Sequence, residues 1–136
     1  MIASDLRNPS FLENIASTPT AIIILEGVSM YLSLEDLNQT LDAIKNKFDH
    51  VVCIMDVYST FAAKASKYKN PINEVGVYEV YGIDDPHLIH LTFEEALNLT
   101  PQHYISQLPS FERLIFQNLY AGNFAKKLYQ LYTFKG

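Results

Sequence analysis

The chain has 136 residues, 49% of them apolar and 18% charged, with a formal net charge of −5. That length suits a single domain able to bury a core, and the composition excludes a disordered or low-complexity chain. The acidic balance gives no electrostatic reason to expect nucleic acid or an anionic membrane surface as a partner.

The single cysteine, Cys53, excludes an internal disulfide and sits inside an apolar run, where a buried, unreactive thiol is the expectation. No apolar stretch approaches the ~20 residues of a membrane span. The opening MIASDLRN lacks the basic region and apolar core of a signal peptide. A cytoplasmic protein without a membrane anchor is therefore expected, and the sequons at Asn38 and Asn98 read as chance matches.

In chain order, Ile2 and Ala3 read as the end of a strand, and Asp5 to Pro9 as a loop. Ser10 is placed to cap a short helix with Phe11, Leu12 and Ile15 on one face. Ala21 to Leu25 is a continuous aliphatic run, the pattern of a strand covered on both faces. It stops at Glu26-Gly27. The clearest element follows: Ser33 as N-cap, Glu35 and Asp36 in the first turn, and Leu34, Leu37, Leu41, Ile44 and Phe48 at helical spacing, with Lys45 and Lys47 near the end.

Val51 to Met55 predicts a second buried strand ending at Asp56, so strand, helix and strand form a βαβ unit with a parallel pair. Glu26 and Asp56 should then project at the same sheet edge. Phe61 to Tyr68 predicts a helix, Glu74 to Tyr81 suits either state, and Gly82 to Pro86 is a turn. Leu88 to Phe93 is a candidate strand, Thr100-Pro101 opens a helix to Leu108, and Ser110 caps another with Phe111, Leu114, Ile115 and Leu119 inward and a stop at Gly122. Tyr129 to Phe134 predicts a final strand.

Chemistry-bearing motifs are few. The five glycines are scattered with no phosphate-binding loop, and no serine sits in a nucleophile elbow. His87 and His90 lie close to Asp84 and Asp85 but lack a convincing third ligand, so no metal is expected and a hydrolase built on them ranks last. What is left is acids at strand ends, Asp5, Glu26 and Asp56. Such acids can satisfy backbone donors or cap the next helix, the leading reading for Asp56. For Glu26, a following glycine leaves room for a ligand's approach, and both readings stand.

The segment EGVSMYL, preceded by Pro-Thr and an aliphatic run, resembles the E-G-x-x-x-Y-L signature of the leucine carboxyl methyltransferase superfamily, which includes tetracenomycin-type O-methyltransferases. The opening ASDLRNPSFLENI resembles that family's D-L-R segment, and MDVYSTFAAKASKY and YGIDDPH are similar to the next strand, helix and linker. The resemblance implies an α/β, Rossmann-like class I methyltransferase fold. Residues 1–136 would be one domain supplying strands four to seven of its seven-stranded sheet with their flanking helices.

The implied function is S-adenosylmethionine-dependent O-methyl transfer, resting on proximity and in-line orientation. The implied cofactor residues are Asp5 and Leu6 near the adenine and Glu26 and Gly27 at the strand end, with Tyr31 lining the acceptor pocket. No catalytic base is implied, and the acceptor is a small molecule or a carboxyl group. The glycine-rich cofactor loop and the ribose-binding acid of the family's first half are absent from this sequence. The chain is accordingly expected to bind the cofactor weakly or not at all. The edge of Ala21 to Leu25 should pair with a second copy or with a separate N-terminal half. The alternative is a non-catalytic association module or a complementing subunit of a split methyltransferase.

Overall fold

The structure is a computed structural model in which residues 4–66, 79–97, 106–119 and 127–136 are described. Four strands, β1 (Thr20–Leu25), β2 (His50–Tyr58), β3 (Thr92–Leu97) and β4 (Tyr129–Lys135), form one sheet in the order β1-β2-β4-β3. β1 and β2 are parallel, in register from Thr20 opposite His50 to Leu25 opposite Met55. β4 enters between β2 and β3, antiparallel to both. The sheet is thus mixed, and the architecture is α/β.

Helix α1 (Leu34–Lys47) forms as its sequence dictates. Ser33 accepts from the Asp36 N–H at 3.0 Å, acids occupy the first turn and lysines the last. Leu37, Leu41 and Ile44 bury one stripe, closed by Phe48, against Val51, Cys53 and Met55 of β2 and Phe134 of β4. Each such side chain removed from water contributes about 1.5–3 kcal/mol. Leu34 alone leaves the predicted stripe and lies at the surface. The buried Asn38 ties the return of the chain to α1, donating to the Leu88 carbonyl at 2.9 Å and accepting from the His90 N–H at 3.0 Å.

Several expectations are corrected. The predicted short helix forms as a 3-10 turn, Pro9–Asn14, but its cap is Asn8 rather than Ser10, accepting from the Ser10 N–H, and Ile15 is exposed. β1 is not covered on both faces. Its burial alternates, with Ile22 73% and Ile24 68% exposed, because it is an edge strand whose inner face alone meets α1 and the 3-10 turn. β2 continues three residues past the predicted end, so Asp56 lies inside the strand and is 2% exposed. The segment Leu88 to Phe93 is mostly a turn: Pro86–Leu88 is a short 3-10 element, and β3 begins at Thr92.

Helix α2 (Thr60–Ser66) begins one residue before the predicted span of Phe61 to Tyr68. Helix α3 (Ser110–Leu119) forms, but Ser110 is its first residue, and Phe111 (74% exposed) and Leu114 (60%) face outward instead of inward. Periodicity specifies an apolar stripe without specifying what it meets. The expectations for Ile2-Ala3, Tyr68, the Glu74 to Tyr78 stretch, Thr100-Pro101 and Gly122 lie outside the described residues.

Candidate functional site

The carboxyl ends of β1 and β2 lie side by side, where open α/β sheets present ligand-facing groups. Gly27 turns the chain here with φ +66°, a conformation that disfavours side chains, and a Cβ at that position would meet nothing within 4 Å. Its N–H donates to Asp56 Oδ2 at 2.8 Å, and the Tyr129 hydroxyl donates to the same oxygen at 2.7 Å. The Ser29 hydroxyl donates to the Asp56 carbonyl. Burial, reinforced by the Asp56 carboxylate, raises the Tyr129 pKa, so Tyr129 stays a neutral donor across the physiological range. Asp56 Oδ1 is buried with no donor among the described residues. Asp56 therefore ties the β1 turn to β2 and β4 rather than projecting beside Glu26. Glu26 is exposed and makes no hydrogen bond or ion pair among the described residues.

The remaining predicted site residues converge. Asp5, Leu6 and Tyr31 line one depression of about 520 Å³ together with Arg7, Val28, Leu32, Glu79 and Tyr81; Glu26 and Gly27 are not part of it. The segments carrying D-L-R and E-G-V-S-M-Y-L thus share one pocket. Asp5 is held by its own neighbour: Arg7 Nε lies 3.0 Å from Oδ1 and Nη2 lies 2.8 Å from Oδ2. Those hydrogen bonds lower the Asp5 pKa and raise that of Arg7.

The opposite wall comes from the segment entering Gly82. The Tyr81 N–H donates to the Met30 carbonyl at 2.8 Å and the Ile83 N–H to the Tyr58 carbonyl at 2.7 Å. A Cβ on Gly82 would lie 2.4 Å from the Ser59 carbonyl oxygen, so this approach requires glycine. The Tyr81 hydroxyl donates to Glu79 at 2.6 Å, and that bond raises the Tyr81 pKa. Sequence reasoning missed Glu79, Tyr81 and the wall role of Arg7, although YEVYG sits immediately before a recognised turn. Its helix-or-strand ambiguity hid the reason: the segment is held by hydrogen bonds to Met30, in the short 3-10 helix Ser29–Tyr31, and to Tyr58, at the end of β2, rather than by its own periodicity.

A second cavity, about 540 Å³ and almost wholly apolar, lies between β1, α1 and the 3-10 turn, lined by Phe11, Leu12, Ile23, Leu25, Leu41 and neighbouring residues. Cys53 is fully buried and its pKa is pushed up to about 12 by burial, which leaves it a protonated, unreactive thiol. No group of three metal-ligating side chains occurs among the described residues. Asp84 instead accepts from the Thr60 N–H at 2.9 Å, and His90 Nδ1 pairs with Asp42 at 2.7 Å. No helix among the described residues is long and apolar enough to cross a membrane.

Neither family models nor curated proteins nor solved structures yield a match to this chain.

Proposed function

We propose that this chain carries the C-terminal half of an S-adenosylmethionine-dependent O-methyltransferase site and is completed by another polypeptide along β1. The observation that carries this reading is the convergence of Asp5, Leu6 and Tyr31, from two segments far apart in sequence, on one pocket beside the carboxyl end of a parallel strand. In this reading Asp5 and Leu6 face the adenine, and Tyr31 lines the acceptor side. Glu26 and Gly27 stand at the strand end, with open space over Gly27 for a ligand's approach. The cofactor supplies the methyl group; the chain's own residues bind and orient.

The need for a partner is argued from the β1 edge. Ile22 and Ile24 are largely exposed on one face and an apolar cavity lies under the other, with no charged residue within the strand. Pairing this six-residue edge with its own copy buries only about 400 Å² in the seam, from a ~20 Å strand and a ~10 Å sheet thickness. Stable association needs about 1,200 Å² or more. A two-fold axis that pairs β1 antiparallel with itself runs perpendicular to the sheet, so both copies leave Ile22 and Ile24 on the same bare face. A separate polypeptide bringing a strand with cover for that face fits better than a second copy. A purely non-catalytic association module shares the edge and differs at the pocket.

Saturation-transfer NMR with S-adenosylmethionine at millimolar concentration tests the reading. Transfer to the adenine protons that is lost in Asp5→Ala is expected; its absence in the unmodified chain overturns the methyltransferase assignment. Micromolar affinity by calorimetry would instead remove the need for a completing half.

A further inference from the structure

The apolar cavity between β1, α1 and the 3-10 turn is built differently from the pocket that holds Asp5 and Tyr31, with which it shares Leu6 and Leu32. It follows β1 from Ala21 to Leu25, a run of ~13 Å at the rise of a strand, and α1 from Leu37 past Ile44 to Phe48. Its volume of about 540 Å³ lies within the ~300–1,000 Å³ of small-molecule sites. None of the described residues that line it is charged, and its two hydroxyls are already engaged. Thr18 donates to the Thr20 carbonyl at 2.9 Å, and Thr40 donates to the Leu6 carbonyl. A peptide laid inside would bury an N–H and a carbonyl per residue against walls with almost no polar groups to meet them, a penalty that a hydrocarbon chain avoids.

One cation stands at the rim of this cavity. The half-buried Lys47 donates through Nζ to the Leu12 carbonyl at 2.7 Å and lies 5.9 Å from the centre of the Phe48 ring, and both of those residues line the cavity. Among the described residues no carboxylate pairs with Lys47, so two of its three N–H donors are left for a ligand. We propose that this cavity binds a straight-chain fatty acid, its alkyl chain running along β1 and its carboxylate on Lys47. The chain carries the affinity, since each buried methylene strengthens binding about fourfold. Lys47 adds what a partly screened ion pair adds, up to about fivefold, and sets which end of the chain lies at the 3-10 turn. Every residue of the site belongs to this chain, so the inference stands apart from the methyl-transfer reading. It also stands apart from the completing polypeptide, which in that reading covers the exposed Ile22 and Ile24 face of the same strand.

The experiment is an NMR titration of the full chain, with labelled isoleucine and leucine methyl groups, against octanoate, decanoate and dodecanoate below their micelle thresholds. The expected result is saturable binding with intermolecular NOEs from the alkyl chain to Leu41 and Ile44, which are 1% and 7% exposed and out of reach of a chain lying on the surface. Each pair of added methylenes should tighten binding roughly tenfold. Ala21→Leu and Ala16→Leu narrow the cavity from β1 and from the segment after the 3-10 turn, and each should weaken dodecanoate roughly tenfold. Lys47→Gln should weaken dodecanoate about threefold and leave dodecanol unchanged. Absence of NOEs to Leu41 and Ile44, or an affinity flat across the three chain lengths, overturns the proposal. So does a Lys47→Gln loss that is absent, or equal for acid and alcohol. The NOEs and the length series are read on the unmodified chain, so they decide even where a leucine variant fails to fold. No readout involves a methyl donor, and this proposal and the methyl-transfer reading therefore fail independently.

Discussion

Asp56 shows how one buried carboxylate can hold a turn in place. Its Oδ2 accepts from the Gly27 N–H and the Tyr129 hydroxyl while Oδ1 has no donor among the described residues, so loss of either donor leaves a buried charge poorly satisfied. Tyr129→Phe removes one hydrogen bond to that carboxylate, and we expect a loss of about 1–3 kcal/mol in urea denaturation. A change below about 0.5 kcal/mol would mean that the bond does not hold the turn. Cys53 and Asp56 are both within the strand that the apolar run announced. Only the neighbour at each position separates an inert thiol from a structural acid.

At the scale of elements, the segment before β3 is stitched to the rest by contacts that no local pattern announces. Gly82 lets it pass against the Ser59 backbone, and Asp84 receives the Thr60 N–H and hydroxyl at the start of α2. Those bonds lower the Asp84 pKa from its usual 3.8. A depressed folded-state value means the stabilisation is complete above the unfolded value near pH 4 and is lost as pH falls through the folded one. Because the carboxylate is exposed and screened, its worth is that of an ordinary helix cap. We expect Asp84→Ala to cost about 0.5–1 kcal/mol at pH 7 and to match the unmodified chain near pH 2, measured by urea denaturation at both pH values. A deficit that persists at pH 2 would assign the effect to packing instead.

For the whole molecule, the association proposed above is placed on β1, the edge strand of the sheet. Ile22 and Ile24 are already largely in water, so Ile22→Lys or Ile24→Lys should leave folding stability within about 0.5 kcal/mol. The same lysines block edge pairing. Self-pairing through so short an edge is weak, so sedimentation at high, near-millimolar concentration should show reversible self-association of the unmodified chain that either lysine variant abolishes. Association undiminished in both lysine variants would overturn the idea that this edge seeks a partner.

Much of the architecture was legible in the residues themselves. Helix α1 carries its own cap, dipole charges and apolar stripe, and the strands β1, β2 and β4 announce themselves by aliphatic or aromatic runs, because these signals depend on neighbours a few positions apart. The candidate site was legible only in part. Asp5, Leu6 and Tyr31 could be picked out, but their shared pocket, and the Glu79–Tyr81 wall that completes it, depend on the Gly82 segment lying against Met30 and Tyr58. Which face of β1 is open, whether Asp56 projects or is bound, and which way Phe111 and Leu114 point were likewise decided by tertiary structure. An amphipathic or apolar pattern records what a segment needs to bury; the surface that meets it is set by the order in which distant strands pair.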